Sequence, residues 1–189
     1  MKLADALASM KALAADRGLA PAARQDQMLA EAARFLKAAL GRTGEKSSVA
    51  ILRHLPEDEL LTFVFPPQLA SGNVIPVTPD SLAGRVAVAA EPKVFNDVAE
   101  QPHKDVFERI PDGEGVTRTI QKMVAAPLQG PGGAVLGIIE VNRTGPSAAA
   151  AGPDFTPQDA ANLAVCCKAF APLLHRLWMA AEVVADQPG

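Results

Sequence analysis

Residues 119–142 read TIQKMVAAPLQGPGGAVLGIIEVN and form the clearest local pattern in the chain. Two runs rich in β-forming residues, 119–129 and 134–142, are separated by the segment GPGG at 130–133. Glycine adopts positive φ at little cost, and tight turns between antiparallel strands require such angles. The stretch therefore predicts a long β-hairpin, and the other elements are interpreted outward from it.

A second hairpin is predicted upstream. Alternating apolar and polar residues at 49–55 and β-forming residues at 60–65 flank the turn sequence PEDE at 56–59. Ser81 is a favourable N-cap for a short helix at 82–90. The remaining predicted elements are strands at 74–77 and 93–98 and a short helix at 103–110.

Helices are predicted at both ends of the chain. Apolar residues recur at helical spacing over 2–16 and 22–40. The final helix begins after Thr156, a favourable cap that is followed by Pro157 at the first helical position and Asp159 three residues after the cap. Its apolar residues then keep a four-three spacing: Leu163, Cys167, Phe170, Leu174, Leu177, Ala181 and Val184.

The four-three spacing of the final helix predicts that it packs along a partner helix. One candidate partner is the helix at 22–40 of the same chain. The other is a second copy of the chain, which would give a four-helix arrangement in a homodimer. The length of the final helix favours the second copy, because apolar turns that extend past the sheet need another surface to cover them.

Composition limits the class of protein. The chain has 189 residues, 49% of them hydrophobic, and a formal net charge of −3, whereas nucleic-acid-binding proteins usually carry a basic excess. Cys166 and Cys167 are adjacent and cannot close a useful loop, which indicates a reducing compartment. The most apolar long segment, near 161–185, contains Lys168 and Glu182, which argues against a membrane span. We therefore expect a cytoplasmic protein that binds neither nucleic acid nor a membrane.

Four short motifs in order resemble those of the GAF domain family. They are SLAGRVA at 81–87, PKVFND at 92–97, APL at 126–128 followed by GIIEVN at 137–142, and FTPQD at 155–159. The resemblance implies an α+β fold, with an antiparallel GAF-type sheet, helices on both faces in a profilin-like layering, and additional N- and C-terminal helices. It divides the chain into a helical extension at 1–44, a GAF domain at 45–175, and an extended C-terminal helix and tail at 176–189.

The same resemblance implies a sensory or regulatory domain that binds a small molecule beside the sheet and passes a signal to a partner protein. No cofactor, metal site or catalytic residue is assigned. Arg118 is the candidate for an anionic ligand, because a guanidinium offers paired donors to carboxylate or phosphate. The simpler interpretation, which is slightly favoured, is a solvated charge at the strand edge. The residues implied to line the pocket are Phe95, Asn96, Asp97, Val106, Phe107, Arg118 and Thr119.

Part of the signature of cyclic-nucleotide-binding members is present, as Asn142, Arg143, Phe155 and Asp159, with Ala160 where the family has a glutamate. The structural interpretation is an Arg143–Asp159 ion pair that joins the last strand to the final helix. Reduced forms of the signature also occur in members that bind no nucleotide, so the motif alone does not identify a ligand.

Two alternatives to a sensor remain. A ligand-free dimerisation or protein-interaction module would keep the fold and fill the space beneath 95–118 with apolar side chains. An enzyme similar to free methionine sulfoxide reductases is the weaker alternative, because those enzymes carry their cysteines in loops near the pocket. Here Cys166 and Cys167 lie in the final helix, so we expect no enzymatic activity.

Overall fold

The computed structural model describes residues 2–41, 47–70, 72–101, 109–111 and 117–185, and at 109–111, 117–118 and 181–185 only the backbone is described. Helices occupy the two ends of the chain and one central position, and the strands lie between them. The helices are α1 (Leu3–Ala15), α2 (Pro21–Leu40), α3 (Leu82–Ala89) and α4 (Pro157–Ala185). The strands are β1 (Ser47–Leu55), β2 (Leu60–Phe65), β3 (Val74–Pro76), β4 (Lys93–Phe95), β5 (Arg109–Pro111), β6 (Thr117–Gln129) and β7 (Val135–Thr144).

The strands form an antiparallel sheet in the order β3-β2-β1-β7-β6-β4, and β5 pairs with the beginning of β6. The predicted hairpin is β6–β7, and its turn contains Gly132 and Gly133 at φ of 70° and 82°. Gly137 lies where a Cβ would collide with the carbonyl oxygen of Leu52 on β1. A glycine in β7 is therefore required for β1 and β7 to approach closely.

The sheet separates two apolar clusters. On one face, α1, α2 and α4 cover the sheet with buried residues such as Met10, Leu36 and Phe170, which pack with Ile139 and Val141 of β7. On the other face, α3 contributes Leu82 and Val86 to a cluster that includes Leu52, Phe95 and Ile138. Helices thus lie on both faces of an antiparallel sheet, which confirms the predicted fold class.

The last two residues of one predicted helix are in a strand instead. A short helix was expected at 103–110, but Arg109–Pro111 is a strand that pairs with Thr117–Thr119 in register Ile110 to Arg118. Residues 103–108 lie outside the described part of the chain. At Arg109 and Ile110, the edge of β6 supplies backbone partners that favour extended structure.

The predicted seam of α4 is mostly occupied within the chain. Leu163, Cys167, Phe170 and Leu174 are buried in the core between the sheet, α1 and α2. The Phe170 ring meets the Phe35 ring of α2 edge to face, with 6.0 Å between centroids. Packing within the chain therefore accounts for the first half of the seam. The side chains of the last two seam residues, Ala181 and Val184, are not described.

The N-terminal part of α4 follows the predicted capping pattern. The backbone N–H of Asp159 donates to Thr156 Oγ1 at 3.2 Å, and the Asp159 carboxylate accepts from the backbone N–H of Thr156 at 2.7 Å. By length and composition, Pro157–Ala180 is also apolar enough to cross a membrane. One face of this helix packs on the sheet, so its apolar composition is explained by the core.

We predict that Phe170→Ala lowers the free energy of unfolding by about 3–5 kcal/mol, because it removes a fully buried ring from the α4–sheet interface. Urea unfolding followed by circular dichroism measures the change. Val88→Ala is the control, since Val88 of α3 is 57% exposed and should change stability by less than about 0.5 kcal/mol. Equal losses in the two variants would contradict this packing of α4.

Candidate functional site

The structure places the predicted pocket residues in different environments. Phe95 is buried in the apolar cluster beside α3, and Asp97 is exposed. Thr119 is exposed on β6, where its carbonyl accepts from the backbone N–H of Gly145 at 3.3 Å. Val106 and Phe107 lie outside the described residues, as does the side chain of Arg118. Their role in binding a ligand stays a prediction.

Asn96 connects the end of β4 to the start of α4. Its Nδ2 donates to the carbonyl oxygen of Phe155 at 2.9 Å, and its Oδ1 accepts from the Phe155 backbone N–H at 2.8 Å. Both polar atoms of the side chain are therefore used by the residue that precedes the α4 cap. Asn96 joins the strand that begins the predicted pocket segment to the C-terminal helix.

A group of buried polar side chains lies on the α3 face of the sheet. Side chains alternate along a strand, so Glu140 and Asn142 share the face of Ile138, while Ile139 and Val141 point to α2 and α4. Ser48 lies directly opposite Asn142 across the β1–β7 ladder. We call Ser48, Glu140 and Asn142 the polar floor.

Glu140 is flanked by small residues. Ala50 of β1 and Ala125 of β6 are its cross-strand partners, and Glu140 itself is only 4% exposed. Burial raises the pKa of Glu140 to about 7. The Asn142 amide opposes part of the rise in pKa, because it is close enough to favour the ionised carboxylate even though its atoms do not meet full hydrogen-bonding geometry. At neutral pH this carboxyl group is therefore divided between its protonated and ionised forms.

The other two members of the polar floor have unused hydrogen-bonding groups. Asn142 is fully buried, and neither its Oδ1 nor its Nδ2 has a partner within hydrogen-bonding geometry in the described structure. The same holds for the Ser48 hydroxyl. An unpaired buried amide or hydroxyl costs about 1–3 kcal/mol, so such groups usually have a partner. The polar floor is therefore suited to holding a polar ligand.

Polar groups on the opposite face are used differently. The Arg143 guanidinium stacks on the Phe155 ring, 3.9 Å from its centroid, and donates to the carbonyl oxygens of Pro153 and Leu40. Lys122 donates to the Gly152 carbonyl at 2.6 Å and pairs with Asp154 at 2.7 Å. These two cations hold the segment between β7 and α4 in place.

The predicted Arg143–Asp159 ion pair is wrong. Asp159 accepts from the backbone N–H and the hydroxyl of Thr156, at 2.7 and 2.8 Å, within the cap of α4. Arg143 binds backbone carbonyls below Phe155 instead. The residues of the signature do fix the strand–helix junction, but through a cation over a ring and carbonyl contacts.

The two cysteines are not exposed for chemistry. Cys167 is fully buried with its Sγ 3.7 Å from the Ala126 carbonyl oxygen, and Cys166 is 7% exposed. Burial raises the pKa of both thiols, which disfavours the nucleophilic thiolate. Within the described residues, no group of three or more His, Cys, Asp or Glu side chains is placed to hold a metal ion.

The sequence pattern identified Asn142 only as part of the strand–helix signature and did not identify Ser48 or Glu140. Their shared signal is position: each lies on the α3 face of a strand whose neighbouring residues on that face are apolar or small. That signal appears only after the β1–β7 register is known, because the sequence alone does not say which residues are opposite one another.

Comparisons with known proteins identify the fold. No family model and no curated protein match the chain. Among solved structures, it is similar to the GAF domain from a phosphoenolpyruvate-protein phosphotransferase of Coxiella burnetii, with a TM-score of 0.66 and 13% identity over 95% of this chain and 96% of that one. The GAF domain from the Acinetobacter phosphoenolpyruvate-protein phosphotransferase gives a TM-score of 0.59 and 12% identity over 97% and 95% of the two chains.

A free methionine-R-sulfoxide reductase from Neisseria meningitidis, solved in complex with its substrate, is also similar, with a TM-score of 0.58 and 18% identity over 94% of this chain and 91% of that one. Most of the similar structures are GAF domains. The chain therefore has the GAF fold, and the resemblance derived from the four motifs is confirmed at that level. The fold hosts both regulatory domains and reductases, so function must be argued from the site.

We predict that stability falls as pH rises from about 5 to about 8, because Glu140 keeps its proton to a higher pH in the folded state than in the unfolded chain. The contribution is full below the ordinary carboxyl pKa and is lost as pH approaches about 7. Glu140→Gln should remove about 2–3 kcal/mol of this pH-dependent change. Urea unfolding at several pH values measures it.

Glu100→Gln is the control, since Glu100 is exposed and the variant should keep the slope of the unchanged protein. If Glu140→Gln and the unchanged protein had the same pH dependence of stability, the raised pKa of Glu140 in the folded state would be contradicted.

Proposed function

We propose that this protein is a regulatory GAF domain that binds a small molecule on the polar floor and passes a signal through its terminal helices. The observation that carries the proposal is the fully buried Asn142 side chain, whose two polar atoms have no partner in the described structure. Ser48 and Glu140 add two polar groups on the same face.

The polar residues at positions 140 and 142 favour this function over a ligand-free module. A module that only mediated interactions would gain stability from apolar residues at 140 and 142, because replacing an unpaired buried polar group by an apolar one of similar shape is neutral or stabilising. The chain instead has a carboxyl group and an amide on the α3 face of the sheet, and their cross-strand partners are Ala50, Ala125 and Met123.

The signal would reach α4 through Asn96. The segment that follows Asn96 borders the predicted pocket, and its amide binds the backbone of Phe155 immediately before α4 begins. A ligand that prefers one arrangement of this segment would also prefer one position of the α4 N-terminus. The coupling requires only that the ligand's affinity differ between the two arrangements.

A reductase function is less well supported. The similar reductase structures share the fold at 18% identity, which does not transfer an activity. Cys166 and Cys167 are buried on the face opposite the polar floor, and burial raises the pKa of both thiols. Neither cysteine is available to attack a ligand held by Asn142.

The proposal includes a homodimer formed by the terminal helices and a water-soluble, cytoplasmic location. The predicted seam is largely covered by the sheet, so the dimer contact needs a different stripe of α4. Val165, Pro172 and Met179 recur every seven residues and are exposed, with Val165 and Met179 at 61% and 47%. Seven-residue spacing keeps side chains on one side of a helix, which gives α4 an apolar stripe facing away from the core.

We predict that a small molecule remains bound when the protein is purified without added ligand, and that Asn142→Leu loses it. Native mass spectrometry measures the bound mass, and mild denaturation releases the compound for analysis. In the absence of ligand, Asn142→Leu should be as stable as the unchanged protein or more stable by about 1 kcal/mol, because it removes an unpaired amide.

Asn96→Leu is the matched control, since it makes the same substitution where both amide atoms are paired and should destabilise the fold. If nothing is bound and no shift in melting temperature follows added nucleotides, amino acids or organic acids, the sensor function is wrong and the interaction module is favoured.

We further predict that the double variant Val165→Asp, Met179→Asp is monomeric while the unchanged protein is a dimer, because two carboxylates would be buried at the contact. Light scattering after size-exclusion chromatography measures the mass. Val88→Asp replaces a 57% exposed valine on α3 and should remain a dimer. A double variant of dimeric mass would show that this stripe is not the contact.

A further inference from the structure

We propose that the ligand of the polar floor presents a primary ammonium group to Ser48, Glu140 and Asn142. The inference rests on the proposed function and narrows it to a class of ligand. It follows from the number and type of acceptor atoms, from the absence of a cation beside Glu140 among the described side chains, and from the apolar surroundings of the three residues.

The acceptors match the donors of one ammonium group. Glu140 offers a carboxylate, Asn142 an amide oxygen and Ser48 a hydroxyl oxygen, and the last two have no partner in the described structure. Glu140 and Asn142 are two residues apart on one face of β7, and Ser48 is directly opposite Asn142. An alkylammonium has three N–H donors and no acceptor, so it would satisfy one oxygen of each residue.

Among the described side chains, no cation forms an ion pair with Glu140. In the described part of the chain, Lys93 is the one charged residue in the row of cross-strand neighbours of Glu140. It lies on β4, one strand beyond Ala125, and forms no ion pair with Glu140. Arg85 of α3 donates to the Pro79 carbonyl at 2.7 Å, and Lys122 and Arg143 bind the β7–α4 segment on the opposite face. A buried carboxylate is stable only when paired, so a cationic ligand would supply the missing partner.

The surroundings suit the rest of such a molecule. Ala50 and Ala125 flank Glu140, while Met123 lies opposite Asn142 and Phe95 opposite Met123. These side chains are apolar and buried. An alkyl chain attached to the ammonium group would therefore contact apolar surface and bring no further polar atom of its own into the site.

The test uses four probes of similar size: n-butylammonium, tetramethylammonium, 1-butanol and butanoate. Tetramethylammonium carries the charge without N–H donors, 1-butanol has the alkyl chain without the charge, and butanoate has the opposite charge. Isotope-edited NMR titration of the full chain follows the backbone amides of residues 48, 123, 140 and 142. Fragments of this size bind weakly, so the titration extends to millimolar concentrations.

We expect n-butylammonium to shift these amides at lower concentration than the other three probes, and Glu140→Gln to weaken its binding by roughly tenfold to a hundredfold. The melting temperature of Glu140→Gln verifies that the variant is folded. If Glu140→Gln does not fold, Asn142→Leu replaces it, with loss of butylammonium binding as the supporting result and unchanged binding as the opposing one.

The outcomes separate this inference from the proposed function. Equal or tighter binding of butanoate or 1-butanol at the same amides would overturn the ammonium inference and leave the ligand-binding function standing. Butylammonium binding that Glu140→Gln does not change would overturn it as well. Absence of any probe binding, together with no co-purified compound, would overturn both.

Discussion

The pairing of β7 with both β1 and β6 is the constraint on which the rest of the structure depends. Because side chains alternate along a strand, this register directs Ile139 and Val141 toward the terminal helices and Glu140 and Asn142 toward α3. A shift by one residue would exchange the two sets. Gly137 opposes such a shift, since no other residue fits against the Leu52 carbonyl. The apolar core and the polar floor are therefore consequences of one register.

The buried polar groups of the two faces differ in how completely they are paired, although single unpaired atoms also occur on the face covered by the terminal helices in the described structure, at Ser47 Oγ and Trp178 Nε1. Arg143 and Lys122 are buried, and each donates to backbone carbonyls of the segment before α4. Asn142 is equally buried, but its amide has no partner in the described structure. The unpaired amide at 142 is the observation on which the proposed ligand binding rests.

Sequence reasoning predicted the fold well because the fold depends on local periodicity and caps. Three features are each recognisable from residues that are close together in the sequence: the β6–β7 hairpin, the Thr156–Asp159 cap and the helices at both ends of the chain. The polar floor depends on cross-strand neighbours that are some ninety residues apart, so Glu140 looked like an ordinary strand residue. The Arg143–Asp159 pair failed for a related reason, because the nearby Thr156 and the distant Leu40 carbonyl compete for the two charges.

The position of Asn96 explains how a small ligand could influence a long helix. The amide is not part of the polar floor, and it binds both backbone groups of Phe155, whose ring covers Arg143. Phe155 is thus held through its backbone by Asn96, directly after β4, and through its ring by Arg143 of β7. A change in the segment after Asn96 would alter the first of these contacts and leave the second in place.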